Sequence, residues 1–234
     1  MALILCLETS SKNCSVSISK NGSTLFFQDY FDENYCHGEK LHSLIEKILF
    51  ENNFSINDFD AFAYSSGPGS YTGLRIGAAS VKGFAFALKK PVVAVPTMKS
   101  LVCKILNGHK KKYKNKDLFC PVLDSRKGEV YAALYDCNYK EYLAPFACSF
   151  ASFSFNKYLE KNSIYFFGPG VHKLSSIINH RNAIFLNTDY PSACSLSEIA
   201  YSKYKNEDFE DIAYFEPDYL KNFIPTKSKK NIQF

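Results

Sequence analysis

The first hundred or so residues impose one order on the chain: three strands, a helix, a strand, a second helix and another strand. Residues 2–8 are nearly all apolar, as in a central strand buried on both faces. Residues 14–20 alternate, which places Val16 and Ile18 inward and Ser15, Ser17 and Ser19 outward. Asn21-Gly22 is a hairpin turn signal, and Thr24 to Tyr30 is the returning strand. A helix is predicted from about His37 to Asn52, with an apolar stripe of Leu41, Leu44, Ile45, Ile48 and Leu49. Ser55 and Asp58 have capping-box spacing over at most one turn. Residues 60–65 read as a short strand, followed by a glycine-rich loop and a helix from about Thr72 to Leu88. Pro91 stops that helix before a strand at 91–95. The fold class implied is α/β.

The second half repeats the theme less clearly. A helix is expected at about 97–107, strands near 118–124, 129–136 and 139–144, a helix near 152–160 and a strand near 163–168. Gly168-Pro-Gly170 mirrors Gly67-Pro-Gly69, again between strand and helix, which hints at two related lobes. The division expected is a first lobe over 1–97 and a smaller second lobe over 98–234, with an extended tail from Asp218.

Charge and cysteine usage narrow the class. With 28 basic and 23 acidic side chains the net charge is +5, unevenly placed. Lys104, Lys110, Lys111, Lys112, Lys114 and Lys116 share one acid-free stretch; Lys221, Lys227, Lys229 and Lys230 share another. Such patches either track a phosphate backbone or form a solvated loop and tail. None of the 8 cysteines forms a Cys-x-x-Cys pair, and several sit in apolar runs, so they read as small buried hydrophobes. No signal peptide precedes the first strand and no apolar run reaches the ~20 residues of a membrane span, so a cytoplasmic protein with reduced thiols is expected.

The strongest local feature runs from Gly67 to Gly77, Gly-Pro-Gly-Ser-Tyr-Thr-Gly-Leu-Arg-Ile-Gly. Its glycines permit close backbone approach, and Thr72 falls where a helix N-cap would present free N–H groups. The junction is either a phosphate loop or a tight, well-capped turn. It is neither a Walker loop nor a dinucleotide fingerprint. Within the helix that follows, Gly73, Gly77 and Ser80 leave one face nearly bare, available to the chain's own elements or to a partner helix. Glu8-Thr9-Ser10-Ser11, directly after the first strand, could hold a magnesium ion and a phosphate. His37 and His42 are five apart, about 140° around a helix axis, so no metal site is expected. No Gly-x-Ser-x-Gly elbow and no discernible Cys–His or Ser–His pair supports nucleophilic hydrolysis.

Taken in order, residues 4–10, 14–17, 37–49, 63–77, 124–131 and 217–220 resemble the TsaB (YeaZ-like) family, most densely over 1–135. The Gly-Pro-Gly-Ser block is specific, whereas the N-terminal block is shared with the related catalytic subunit, TsaD. The resemblance implies an actin-like (ASKHA, ribonuclease H-like) fold of two βββαβα lobes. It implies a non-catalytic partner of TsaD, which transfers threonylcarbamoyl to the adenosine next to the tRNA anticodon. It further implies TsaE as an additional partner, a homodimer when TsaD is absent, and tRNA reached through the complex. No cofactor is required in this chain, with ATP or ADP at the complex interface. Carried over by position, the partner-binding residues are His37, Leu41, Leu44, Ile45, Ile48, Gly73, Arg75, Gly77 and Ser80. A phosphate loop would draw on Glu8, Thr9, Ser10, Gly67, Gly69, Ser70 and Thr72. The competing readings are an ATPase or phosphotransferase of the same fold, and a metallopeptidase.

Overall fold

The computed structural model describes residues 1–34, 36–108, 113–186 and 190–221. Three strands open the chain, β1 (Leu3–Glu8), β2 (Asn13–Lys20) and β3 (Ser23–Phe31). They are followed by α1 (His37–Glu51), a 3-10 turn (Ile56–Asp58), β4 (Ala61–Gly67), α2 (Tyr71–Leu88) and β5 (Val92–Pro96). The sheet order is β3-β2-β1-β4-β5. The first three strands are antiparallel, and β1, β4 and β5 run parallel, with Leu5 opposite Ile18 on one side and Phe62 on the other.

After α3 (Thr97–Gly108) the scheme recurs with β6 (Leu118–Asp124), β7 (Glu129–Tyr135), β8 (Glu141–Ser149), α4 (Asn156–Leu159), β9 (Ile164–Phe167), α5 (Val171–Ser175) and β10 (Ala183–Phe185). The second sheet has the order β10-β9-β6-β7-β8, with the same pattern of parallel and antiparallel pairs. Position for position this is the first sheet again. The echo of the two Gly-Pro-Gly turns therefore reflects two lobes of the same topology, and the fold is α/β.

Each sheet is covered on both faces. Leu5, Leu7, Val16, Ile18, Phe62 and Tyr64 pack beneath Leu41, Ile45 and Ile48 of α1 and Val81 and Ala85 of α2. On the second sheet, α3 contributes Met98, Leu101, Val102 and Ile105 to one face, and Phe155, Leu159 and Leu174 cover the other.

The far face of the first sheet is where the sequence reading needs correction. A 3-10 turn (Ala193–Leu196) and α6 (Ser197–Lys205) return from the second lobe and lay Ala193, Leu196 and Ala200 on Ile4, Cys6, Ala63 and Val95. Ser15, Ser17 and Ser19, expected outward, are completely buried. Two of the hydroxyls serve the returning backbone: Ser17 donates to the Ala193 carbonyl at 2.9 Å, and Ser15 accepts from the Ala193 amide at 2.8 Å. Alternation of polar and apolar residues identified the strand, but hydroxyls that pair with backbone are as buriable as methyls. The chain from 190 to 221 thus packs chiefly on the first lobe, although it was expected with the second, and keeps contact with the second through Asn107 and Glu129.

No helix among the described residues is long and apolar enough to cross a membrane. Of the lysine stretch, Lys110, Lys111 and Lys112 lie outside the described residues, as do Lys227, Lys229 and Lys230.

Candidate functional site

The glycine-rich junction is closed by the chain itself. Ser70, not Thr72, caps α2: its hydroxyl accepts from the Gly73 amide at 3.2 Å, while Thr72 is exposed in the first turn. The Ser70 amide donates to the Ser10 carbonyl at 2.7 Å, drawing the helix start against the end of β1. A methyl added at Gly69 would meet the Ser10 carbonyl oxygen at 2.4 Å, one at Gly73 the Thr9 carbonyl oxygen at 2.1 Å, and one at Gly77 the Thr9 hydroxyl at 2.5 Å. The bare face of α2 is therefore occupied by Thr9 and His37, with Ser10 against Gly69 just before the helix, and the glycines are required by an internal contact.

Glu8 is likewise turned inward. It has no exposed surface, and its Oε1 accepts from the Ser10 amide at 2.7 Å and the Ser65 hydroxyl at 2.9 Å. Burial pushes its carboxyl above the usual range, opposed in part by the hydrogen bonds from Ser10 and Ser65. Thr9 and Ser10 are buried as well. Of the phosphate-loop residues, Ser10, Gly69 and Ser70 do reach the cleft between the lobes. That cleft, about 370 Å³, is closed on the far side by Asp124, Ser125, Arg126 and Pro169.

The partner-binding residues divide in the same way. Leu41, Ile45 and Ile48 belong to the core under α1, and His37 is buried with its Nε2 2.7 Å from the Ser11 carbonyl oxygen. Gly73 and Gly77 are buried, and so is Ser80, whose hydroxyl lies 2.9 Å from the Ile76 carbonyl and 3.2 Å from His42 Nε2. Leu44 is half-buried and Arg75 is exposed.

What the helices leave uncovered is a different strip. On α2 it comprises Thr72, Arg75, Ala79, Gly83, Phe86 and Ala87, and on α1 Gly38, His42 and Glu46. Phe86 is 80% exposed, and a methyl at Gly83 would meet nothing within 4 Å. At about 100° per residue this strip is centred nearly opposite the buried face of Leu74, Ala78, Val81 and Ala85 and roughly 120° from the glycine notch. The pattern 72, 79, 83, 87 was present in the sequence. Telling it from 73, 77, 80 requires knowing which side the sheet takes.

Among the described residues no three His, Cys, Asp or Glu side chains converge as a metal site. Burial pushes the thiols of Cys6, Cys14 and Cys103 up to about 12, so each is protonated at neutral pH and a poor nucleophile.

The family model for TsaD, tRNA N6-adenosine threonylcarbamoyltransferase, matches residues 34–231. The chain belongs to this family, in its TsaB (YeaZ-like) branch. The tRNA threonylcarbamoyladenosine biosynthesis protein TsaB of Haemophilus influenzae is 24% identical over 96% of this chain and 95% of its own length. TsaB of Escherichia coli is 30% identical over 56% of this chain and 54% of its own. A Pseudomonas aeruginosa structure described as similar to peptidase YeaZ superimposes with a TM-score of 0.79 at 23% identity, covering 94% of this chain and all of that one.

One further stretch of this TsaB-type chain borders the site, and from Asp218 onward it runs where the sequence predicts an extended tail. Phe215 is buried against Tyr64, with ring centroids 5.3 Å apart. The Asp218 amide then donates to the Ser66 carbonyl at 2.7 Å, and the Ser66 hydroxyl donates to the Asp218 carboxylate at 2.9 Å. Gly67, at φ +123°, leaves room for the Asp218 carbonyl, which a methyl there would meet at 2.6 Å. Tyr219 packs on Tyr71 at 4.7 Å and accepts from Arg75 Nε at 3.1 Å. Lys221 pairs with Glu129 of the second lobe. This strap ties β4, the start of α2 and β7 together.

Proposed function

We propose that this chain is a non-catalytic subunit of the threonylcarbamoyl-transfer machinery that docks its exposed α1–α2 face on the catalytic TsaD subunit. The observation that carries the reading is the uncovered strip of Ala79, Gly83 and Ala87 beside a Phe86 that is four-fifths exposed. Small residues let a foreign helix approach closely, and an exposed aromatic beside them supplies apolar area to bury. The strip belongs to helices whose other faces are already packed, so covering it costs the subunit no internal contact. TsaE would join the assembled pair, and ATP or ADP would bind at the seam between subunits. A second copy would cover the same face when TsaD is absent, and tRNA would be reached through the complex.

The closed state of the Glu8 loop argues against the ATPase or phosphotransferase reading. A carboxyl with no accessible surface, tied to Ser10 and Ser65, does not face the cleft where a magnesium–phosphate group would lie. The test is reconstitution of threonylcarbamoyl transfer to tRNA from purified subunits. Transfer should require this chain together with TsaD and should be undetectable with this chain alone. Magnesium-dependent ATP turnover by the isolated chain at a rate useful to an enzyme would overturn the reading.

A further inference from the structure

Beside the exposed strip runs a groove of about 320 Å³ between α2 and the strap. Its floor is Ala78 and Ala79, its outer wall is Phe215, Pro217 and Tyr219, and two cations, Arg75 and Lys82, overhang it. Both cations rest on aromatic faces. The Arg75 guanidinium lies 4.1 Å from the Tyr71 ring centroid and its Nε bonds Tyr219, while the Lys82 ammonium lies 4.3 Å from the Phe215 centroid. Long side chains held against rings lose less freedom when they bind a partner than side chains that wander.

Over its eighteen residues α2 carries these two charges and no acid. Spaced i, i+7, they sit on one side of the helix, about 10 Å apart along its axis. Glu216 is the single acid in the groove lining. We propose that the groove receives an acidic segment of the partner protein, with carboxylates about 10 Å apart seated on Arg75 and Lys82. The proposal rests on the docking reading above and specifies its chemistry. An α2-to-α2 pairing of two copies would bring only cations to the groove, so like charge disfavours that pairing and favours an acidic foreign segment.

The dissociation constant for the cognate TsaD subunit is to be measured at low and high salt for the full chain, for Arg75→Glu with Lys82→Glu, and for Lys82→Glu alone. The single variant leaves the Arg75–Tyr219 bond in place and guards against a strap that fails to seat. Wild-type affinity should fall as salt rises, and both variants should bind at least about tenfold more weakly with a flatter salt dependence. Wild-type affinity and salt dependence in both variants, with assembly still blocked by Gly83→Leu, would overturn the groove and leave the docking face standing. If Gly83→Leu also assembles normally, the docking face falls and takes the groove with it. Loss of self-association alone in the charge variants, with TsaD binding untouched, would assign the groove to a second copy and overturn the proposal.

Discussion

Glu8 shows what a residue's neighbours do to a motif. In the sequence, Glu-Thr-Ser-Ser after a first strand is a plausible set of magnesium and phosphate ligands. In the fold, the carboxyl is buried and spends its oxygen on Ser10 and Ser65. Because its folded value is raised, the native state binds the proton more tightly than the unfolded chain. That contribution to stability is whole below the ordinary value of 4.5 and is lost as pH rises through the raised folded value. Glu8→Gln keeps an acceptor for Ser10 and Ser65 and removes the titration. Its melting temperature relative to wild type should therefore climb as pH is raised from 4.5, and a constant difference across pH would contradict this account. Residue identity was legible in the sequence, but the direction of the side chain was not, because it depends on α2 pressing Ser70 onto Ser10.

At the scale of elements, α2 separates what periodicity reveals from what it hides. Its stop was readable from Leu88 and Pro91, while its cap was expected at Thr72 and is Ser70, and the strands of the first lobe were readable from an apolar run, alternation and turn signals. Two small-residue stripes coexist on the helix, and only the sheet beneath decides which is internal. Gly77→Leu drives a side chain into Thr9 and should destabilise the isolated chain by roughly 1–3 kcal/mol or more, read by denaturant unfolding. Gly83→Leu enters open space in an exposed helix and should stabilise it by roughly 0.5–1 kcal/mol. Equal effects at the two positions would mean that the internal and external faces of α2 have been confused.

For the whole molecule, the duplicated sheet order was half visible, through the repeated Gly-Pro-Gly turn. The return of residues 190–221 to the first lobe was not, because it depends on contacts across more than 170 residues, such as Ser15 with Ala193. The strap is held chiefly by burial. Phe215→Ala should cost about 3 kcal/mol, whereas Lys221→Ala, which breaks a partly exposed ion pair with Glu129, should cost under about 1 kcal/mol. Denaturant unfolding of the two variants checks that ranking. The most direct test of the account is to titrate this chain and its Gly83→Leu variant into TsaD and follow the mass of the complex by light scattering. A folded Gly83→Leu chain that stays monomeric beside TsaD, while the wild type forms a heterodimer, is the predicted result. A heterodimer of undiminished affinity from Gly83→Leu would contradict it.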